Sequence, residues 1–441
     1  MPETTTPSLR QEGFSFLEEE LRFLMEAFAS ALRRMGEPEL ADALPWVGSK
    51  EPSGNPPSNR ALGQAYSIAF QMLNIVEERA AAQVRRWRET AKGPEAEKGL
   101  WADNLRRMRE LGATEEQLLE LLRNVEVEPV LTAHPTEAKR ATVRELHREI
   151  YGLINRHENA AYTPREQKRL KQQIETRLEN LWRTGEIHVT RPTIEAELEN
   201  ALYYLRDIFP ETVKRTSVHL REAWEGAGFD GTKLDAVGGL IRFGTWIGGD
   251  RDGHPFVTAE VTERSLKSLR WNALRVQRRG LESLANAMPL SSLFQKTPES
   301  LKAMISRLVE DLRGVAAADV DYILERNQEE PWRCATYLMR RKIVAAIEGS
   351  GGYATPGDLD ADLAEFGGSL ADVGAGALAR EFVVPLNRQV RTFGFHLATL
   401  DVRQNSAFHE KALDQLLKAA GLVNEGSFAE WPVEQKRGLL E

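Results

Sequence analysis

Apolar residues recur through most of the chain at intervals of three and four, the spacing that gathers them on one face of an α-helix. The first stretch, Phe14–Met35, shows this pattern, with Leu21, Leu24 and Phe28 set among charged residues. Residues 42–60 are rich in Pro, Gly and Ser and predict a long loop. Helices are predicted over residues 14–35, 61–91, 100–124, 140–157, 164–187, 194–222, 261–287, 298–312, 331–348 and 378–392.

Residues 349–376 have a Gly-, Ala- and Asp-rich composition that is also found in linkers. The segment nevertheless contains four large apolar residues, Leu359, Leu363, Phe366 and Leu370. Side chains of this kind are usually buried, so we expect the segment to pack against the rest of the protein. The chain is therefore not divided at this point.

Three short apolar segments have the composition of buried strands: Glu128–Ala133, Leu240–Ile247 and Leu397–Val402. Each leads directly into a polar, charged cluster. Long helical stretches separate the segments, so parallel strands joined by helical crossovers are the simplest arrangement. The carboxyl ends of such strands share one edge of the sheet, where the three clusters would meet. The pattern predicts a predominantly α-helical α/β fold.

Composition excludes several classes of protein. The 441 residues include 58 basic and 66 acidic ones, a net charge of −8, which disfavours a nucleic-acid partner. The single cysteine, Cys334, excludes an internal disulfide framework and suits a reducing compartment. No apolar stretch reaches the roughly 18 residues of a membrane helix, and residues 1–12 lack the pattern of a signal peptide. We expect a soluble, cytoplasmic protein with no membrane partner.

The first polar cluster begins with His134, which follows the apolar run at Val130 and Leu131. Histidine moves protons readily near neutral pH, so a histidine at a strand end is a candidate catalytic group. Lys139 and Arg140 follow it and suit an anionic substrate. A solvent-exposed helix charge is nearly as good an interpretation of Arg140.

The second cluster is a glycine-rich loop that follows Trp246, which either packs in the core or lines a pocket for a small apolar group. Glycines allow positive φ and close backbone approach. We expect the arginine of the loop to be neutralised by the aspartates on either side, which favours a structural, salt-bridged loop over a divalent metal site. The loop residues are Gly248, Gly249, Asp250, Arg251, Asp252 and Gly253.

Together the three clusters resemble signatures of the phosphoenolpyruvate carboxylase family. The segment 130–137 (VLTAHPTE) is similar to the histidine signature of that family, and 246–255 (WIGGDRDGHP) to its glycine-rich loop. The segment 400–406 (LDVRQNS) is similar to a third signature. Weaker similarity occurs at residues 73–78, 191–193 and 330–333. Three signatures in the family's order indicate that the resemblance extends over essentially the whole chain, from about residue 14 onward.

The resemblance implies a carboxy-lyase that joins phosphoenolpyruvate to bicarbonate with Mg²⁺ or Mn²⁺ and forms oxaloacetate and phosphate. Carboxyphosphate and pyruvate enolate are the implied intermediates. By position His134 would remove the proton of carboxyphosphate, Arg403 would hold the substrate phosphate, and Trp246 would face the methylene group. Arg140 would support an anionic group near His134. Pairing with Asp401 is the structural alternative for Arg403.

The resemblance also implies part of a (β/α)8 TIM-like barrel, with about three strands present and many additional helices. We expect one family region over residues 1–441, with a helical part at 1–125 and a partial barrel with inserted helices at 126–441. Family members are roughly twice as long, tend to form tetramers and are allosteric. Their metal ligands lie in the second half, so we expect none in this chain and no complete reaction from it alone.

Two positions depart from the family pattern: Ala141 replaces a second arginine, and His254 stands where asparagine is usual. The first departure weakens the role of Arg140. Two alternative functions remain open at the level of sequence. One is a phosphotransferase that phosphorylates His134, with Arg403 as the phosphate ligand. The other is a non-catalytic helical scaffold or remnant that binds a partner.

Overall fold

The computed structural model describes residues 8–47, 57–132, 141–159, 161–184, 193–252, 255–422 and 426–440. The described chain is mostly helical and contains a small parallel sheet, as predicted. The helices and strands are α1 (Leu9–Arg34), α2 (Pro38–Asp42), α3 (Asn59–Lys92), α4 (Trp101–Glu110), α5 (Glu115–Asn124), β1 (Val130–Leu131), α6 (Ala141–His157), α7 (Pro164–Thr184), α8 (Ile194–Tyr203), α9 (Phe209–Gly226), β2 (Gly244–Thr245), α10 (Ala259–Ala287), α11 (Glu299–Arg326), α12 (Pro331–Glu348), α13 (Pro356–Ala371), α14 (Gly376–Leu378), α15 (Val384–Phe393), β3 (Thr399–Leu400), α16 (Ser406–Ala419) and α17 (Val433–Leu440).

The chain divides into two compact units, each with a core of its own. Unit 1 comprises residues 1–112 and 136–192, and unit 2 comprises residues 113–135 and 193–441. In unit 1, helix α1 packs against α3 and α7, and α6 packs against α7. Leu24, Phe28, Met72 and Ile150 are fully buried between these helices. The predicted apolar stripes of the first helices therefore form the core of unit 1.

A buried polar cluster lies within this helical core. Arg79 of α3 donates to the carboxylates of Glu20 on α1 and of Glu158, just beyond α6, and its Nε donates to Asn155 at 3.2 Å. Only 3% of the Arg79 side chain is exposed. Burial, together with the neighbouring Glu158 carboxylate, raises the pKa of Glu20 to about 8 against the opposing effect of Arg79. We call these four residues the Arg79 cluster.

The helical core of unit 2 is built mainly from α10 to α15. Leu359, Leu363, Phe366 and Leu370, the apolar residues of the Gly-rich segment, are all fully buried on α13. The prediction that this segment packs is therefore confirmed. Trp332 of α12 is also fully buried, and its indole N–H donates to Ser369 Oγ at 3.0 Å.

Helix boundaries differ from the predictions in three ways. The helix predicted over residues 100–124 is two helices, α4 and α5, separated by residues 111–114. Helix α11 continues to Arg326 beyond the predicted end at residue 312, with a non-helical φ/ψ pair at Ala316 inside it. Two predicted helices are interrupted by π-helical turns, at Tyr204–Ile208 and at Ala379–Val383. Such turns insert an extra residue into the helical repeat, which apolar spacing does not reveal. Among the described residues, no helix combines the length and apolar character that a membrane crossing requires.

The three predicted strands form one parallel sheet in the order β1-β2-β3. Val130 pairs with Gly244 and Gly244 with Thr399. The parallel arrangement is confirmed, but the regular strands are shorter than predicted. Leu397 has a φ of +67°, outside the extended region, so β3 begins only at Thr399. Phe243 fixes the start of β2 by stacking against Phe209 and Phe393, at ring-centroid distances of 4.7 and 5.4 Å.

Candidate active site at the strand ends

The polar clusters that follow β2 and β3 lie side by side, as their positions at parallel strand ends predicted. Asp250 and Arg403 form an isolated parallel bridge beyond the regular strands. The Arg251 N–H donates to the carbonyl of Arg403 at 2.8 Å, and the Arg403 N–H donates to the carbonyl of Gly249 at 3.0 Å. Backbone hydrogen bonds thus hold the glycine-rich loop against the segment that contains Arg403.

Arg403 is at the centre of the side-chain contacts. Its guanidinium carbon lies 3.8 Å from the ring centroid of Trp246, and its Nη1 is 3.3 Å from Asp250 Oδ2. The side chain remains 44% exposed. The alternative pairing with Asp401 is not the one that the structure has, because Asp401 Oδ2 instead accepts from the Trp246 indole N–H at 3.2 Å. Stacking on Trp246 orients a guanidinium whose other N–H groups have no ion-pair partner among the described residues.

Gly248 and Gly249 of the loop are required for different reasons. Gly248 has a φ of +87°, in the left-handed region that other residues avoid, and a Cβ there would collide with Ser265 of α10. Gly249 has no such φ, but a Cβ there would lie well inside contact distance of the carbonyl oxygen of Asp401. The loop therefore approaches the neighbouring backbone more closely than any side chain would permit.

The predicted neutralisation of Arg251 by the flanking aspartates is wrong. Its Nη2 donates to the hydroxyl of Thr262 at 3.0 Å, and this hydroxyl is 2.7 Å from the carbonyl oxygen of Gly248. The carboxylate of Asp250 pairs with Arg403 instead. The prediction was wrong because the side chains of neighbouring loop residues point in different directions. The partner of Arg251 is instead Thr262 on the nearby helix α10. Nothing in the sequence marked Thr262 among the polar residues of α10.

The described residues do not provide a divalent metal site. Within the described ranges, no group of three or more His, Cys, Asp and Glu side chains is arranged to hold an ion. Asp250 is engaged with Arg403, and Asp252 is exposed beside it. Two carboxylates, one of them paired, fall short of the six or more oxygen ligands of Ca²⁺ or the octahedral set of Mg²⁺. The two aspartates therefore do not fit the metal that the family resemblance implies.

The structure covers part of the predicted site. It brings together Trp246, Arg403 and the loop residues Gly248 to Asp252. Four further predicted residues, His134, Lys139, Arg140 and Gly253, lie outside the described residues. Asp401 joins the site as the acceptor for Trp246.

The comparisons with known proteins agree on one family. The family model described as phosphoenolpyruvate carboxylase matches residues 55–441. A phosphoenolpyruvate carboxylase of Methylorubrum extorquens is 33% identical over 410 residues, which are 91% of this chain and 43% of the relative. The enzyme of that name from Xanthomonas campestris pv. campestris is 33% identical over 416 residues, 93% of this chain and 44% of the relative.

A phosphoenolpyruvate carboxylase of Rhodopseudomonas palustris is 31% identical over 369 residues, covering 81% of this chain and 38% of the relative. The chain thus spans roughly two fifths of the length of these relatives. The matches include the glycine-rich loop and the segment of Arg403. They do not favour the phosphotransferase or the scaffold interpretation.

Proposed function

Because the chain belongs to the phosphoenolpyruvate carboxylase family, we propose that its strand-end site binds phosphoenolpyruvate for reaction with bicarbonate. In this carboxy-lyase reaction a bicarbonate oxygen forms a bond to phosphorus, and the bond from phosphorus to the enol oxygen breaks. The products of this step are carboxyphosphate and pyruvate enolate. Carboxyphosphate then releases CO₂ and phosphate, and the enolate carbon attacks CO₂ to form oxaloacetate.

Arg403 is the proposed ligand of the substrate phosphate, and its geometry carries the proposal. The side chain lies at the carboxyl ends of parallel strands, where α/β enzymes bind their ligands. Its single ion pair among the described residues uses Nη1, so the remaining donors can bind phosphate oxygens. Asp250 and Trp246 hold the guanidinium in place before the ligand arrives.

Trp246 is proposed to face the methylene group of the substrate. One face of its ring carries Arg403, and its N–H is bound by Asp401, so the orientation of the ring is set from two sides. The glycine-rich loop, tied to α10 through Thr262, supports both residues. His134 is proposed to accept the proton of carboxyphosphate, and Arg140 to support an anionic group beside it.

Several broader properties are also proposals that rest on family membership. They are a Mg²⁺ or Mn²⁺ requirement, a tetrameric and allosteric holoenzyme, and a cytoplasmic location. The three strands are proposed to form part of a (β/α)8 barrel, with residues 1–125 as its helical N-terminal part. Since the aspartates of the described loop do not fit a metal, no step is assigned to one here.

Phosphoenolpyruvate binding, measured by isothermal titration calorimetry, tests the role of Arg403 without requiring turnover. We expect R403Q to weaken binding about tenfold to a hundredfold, because it removes charge-assisted hydrogen bonds to the phosphate. Arg242 provides a matched control. It precedes β2, is 47% exposed and pairs with Glu126 at 3.2 Å, much as Arg403 pairs with Asp250.

The R242Q variant should bind phosphoenolpyruvate within about twofold of the wild type, since it lies before the strand rather than after it. R403K should retain part of the affinity, because lysine keeps the charge and loses the planar fork. Equal binding by wild type and R403Q would exclude Arg403 as the phosphate ligand.

A further inference from the structure

A concentration of positive charge lies in unit 2, in residues separate from those of the strand-end site. The π-helical turn at Tyr204–Ile208 packs against α10. The arginines of these two elements lie close enough together to lower the pKa of one of them, Arg275. We call them the arginine cluster: Arg206, Arg275, Arg278 and Arg279.

Two members of the cluster are held by a shared carboxylate. Asp207 accepts from Arg206 Nε and Arg279 Nη1, both at 2.9 Å. Arg206 Nη1 also donates to Asn272 at 3.2 Å, and Arg279 Nη2 donates to the carbonyl of Arg206 at 2.6 Å. These bonds fix two guanidiniums and use most of their donors. Both carboxylate oxygens of Asp207 are then bound.

The other two members have no acidic partner among the described residues. Arg275 lies with its guanidinium carbon 4.4 Å from the ring centroid of Trp271, one turn earlier on α10. Arg278 follows on the same face, and its Nε is buried without a hydrogen-bond partner. Burial and the surrounding cluster arginines lower the pKa of Arg275. The guanidinium of Arg275, oriented by Trp271, thus lies in a field of like charge.

Besides Asp207, Glu199 also acts on Arg206 of this cluster. Asp207 is the one carboxylate that forms ion pairs with the cluster among the described residues, so the four arginines retain a surplus of positive charge. This surplus matches a phosphate monoester, which carries about −1.5 to −2 at neutral pH. Guanidinium forks bind phosphate oxygens in pairs, and Trp271 orients one of the two free forks. The net charge of −8 argues against a nucleic acid as the source of the phosphate.

We propose that the arginine cluster, with Trp271, is a binding site for a small phosphorylated metabolite. Arg275 and Arg278 are its direct ligands. Arg206 and Arg279 supply the surrounding positive potential and are held by Asp207. The site is distinct from the proposed substrate site, so it stands whether or not Arg403 binds phosphoenolpyruvate.

Calorimetric titration with inorganic phosphate at constant ionic strength tests this site. R403Q, which lacks the proposed phosphate ligand of the other site, should retain a binding component that R275Q/R278Q loses. We expect the affinity of that component to fall about tenfold or more in R275Q/R278Q. The R215Q/K267Q variant removes two exposed positive charges elsewhere in unit 2 and should change it less than about twofold.

A second variant separates hydrogen-bond geometry from charge. R275K/R278K keeps both charges and loses the planar forks, so its affinity should be intermediate. It also keeps the test decisive if the glutamine variant does not fold. Equal weakening by R215Q/K267Q and R275Q/R278Q would overturn the proposal, as would tighter binding of succinate than of phosphate. Absence of cluster-dependent phosphate binding up to about 10 mM would also overturn it.

Discussion

Arg79 in unit 1 and Arg403 in unit 2 each lie at the centre of a polar cluster, yet their surroundings are opposite. The side chain of Arg79 is 3% exposed and bound by two carboxylates and an amide oxygen. That of Arg403 is 44% exposed and bound by one carboxylate and the face of an indole. Arg79 has three side-chain acceptors around it, whereas within the described part of the chain Arg403 has one.

Burial and local partners, rather than residue type, thus distinguish Arg79, which we expect to be structural, from Arg403, the proposed phosphate ligand. A buried ion pair gains little net stability, but removal of one partner leaves the other uncompensated. A half-exposed pair contributes little to folding. Arg79 should therefore affect folding strongly, and Arg403 should affect ligand binding.

Replacement of Arg79 is expected to have the largest effect. Above about pH 8, where Glu20 is ionised, R79M should lower the free energy of unfolding of unit 1 by about 3–5 kcal/mol, because it leaves the Glu20 and Glu158 carboxylates without their cation. Urea unfolding followed by hydrogen exchange in α1, α3 and α6 measures it. R183Q, which breaks an exposed pair with Glu179, should change it by about 0.5 kcal/mol or less. Similar values for the two variants would contradict the structural role expected of Arg79.

The second effect is a dependence of stability on pH that arises from Glu20. The ordinary pKa of this carboxyl is 4.5, and in the folded protein it is about 8. The folded state binds the proton more tightly, so the stability of unit 1 should fall as pH rises between these values. The total loss should reach a few kcal/mol. Urea unfolding at a series of pH values between about 5 and 9 measures it.

Two variants isolate the contribution of Glu20. E20Q mimics the protonated carboxyl and should remove most of the decline, so that it is more stable than the wild type near pH 8. E18Q changes an exposed glutamate of the same helix and should leave the decline intact. A decline that persists unchanged in E20Q would show that another group causes it.

The smallest effect concerns the backbone that supports Arg403. G249A should destabilise unit 2 by about 1–3 kcal/mol, because its Cβ would press against the backbone of Asp401. G226A is the control, since a Cβ at that helical position meets no atom within 4 Å. It should be neutral or stabilising by up to about 1 kcal/mol. Urea unfolding compares the two, and equal stability would contradict the close approach at Gly249.

Much of the fold could be predicted because its elements depend on local patterns. The spacing of Leu21, Leu24 and Phe28 marks the buried face of α1, and Phe366 and Leu370 mark a packed segment in spite of its Gly-rich composition. The π-helical turn at Tyr204–Ile208 could not be predicted in this way. The turn adds one residue to the helical repeat. The apolar spacing before and after it still has the period of a helix, so the sequence predicts one continuous helix.

The sequence by itself determined the helical character, the three parallel strands and the adjacency of the loop at Gly248 to Arg403. These features follow from periodicity and from the geometry of parallel strand ends. Only the tertiary structure decided the partners: Asp250 for Arg403, Thr262 for Arg251, and Glu20 for Arg79. The reason is physical, because a charged side chain takes the nearest partner in space, and folding brings Asp250 to Arg403 although the two are 153 positions apart in the sequence.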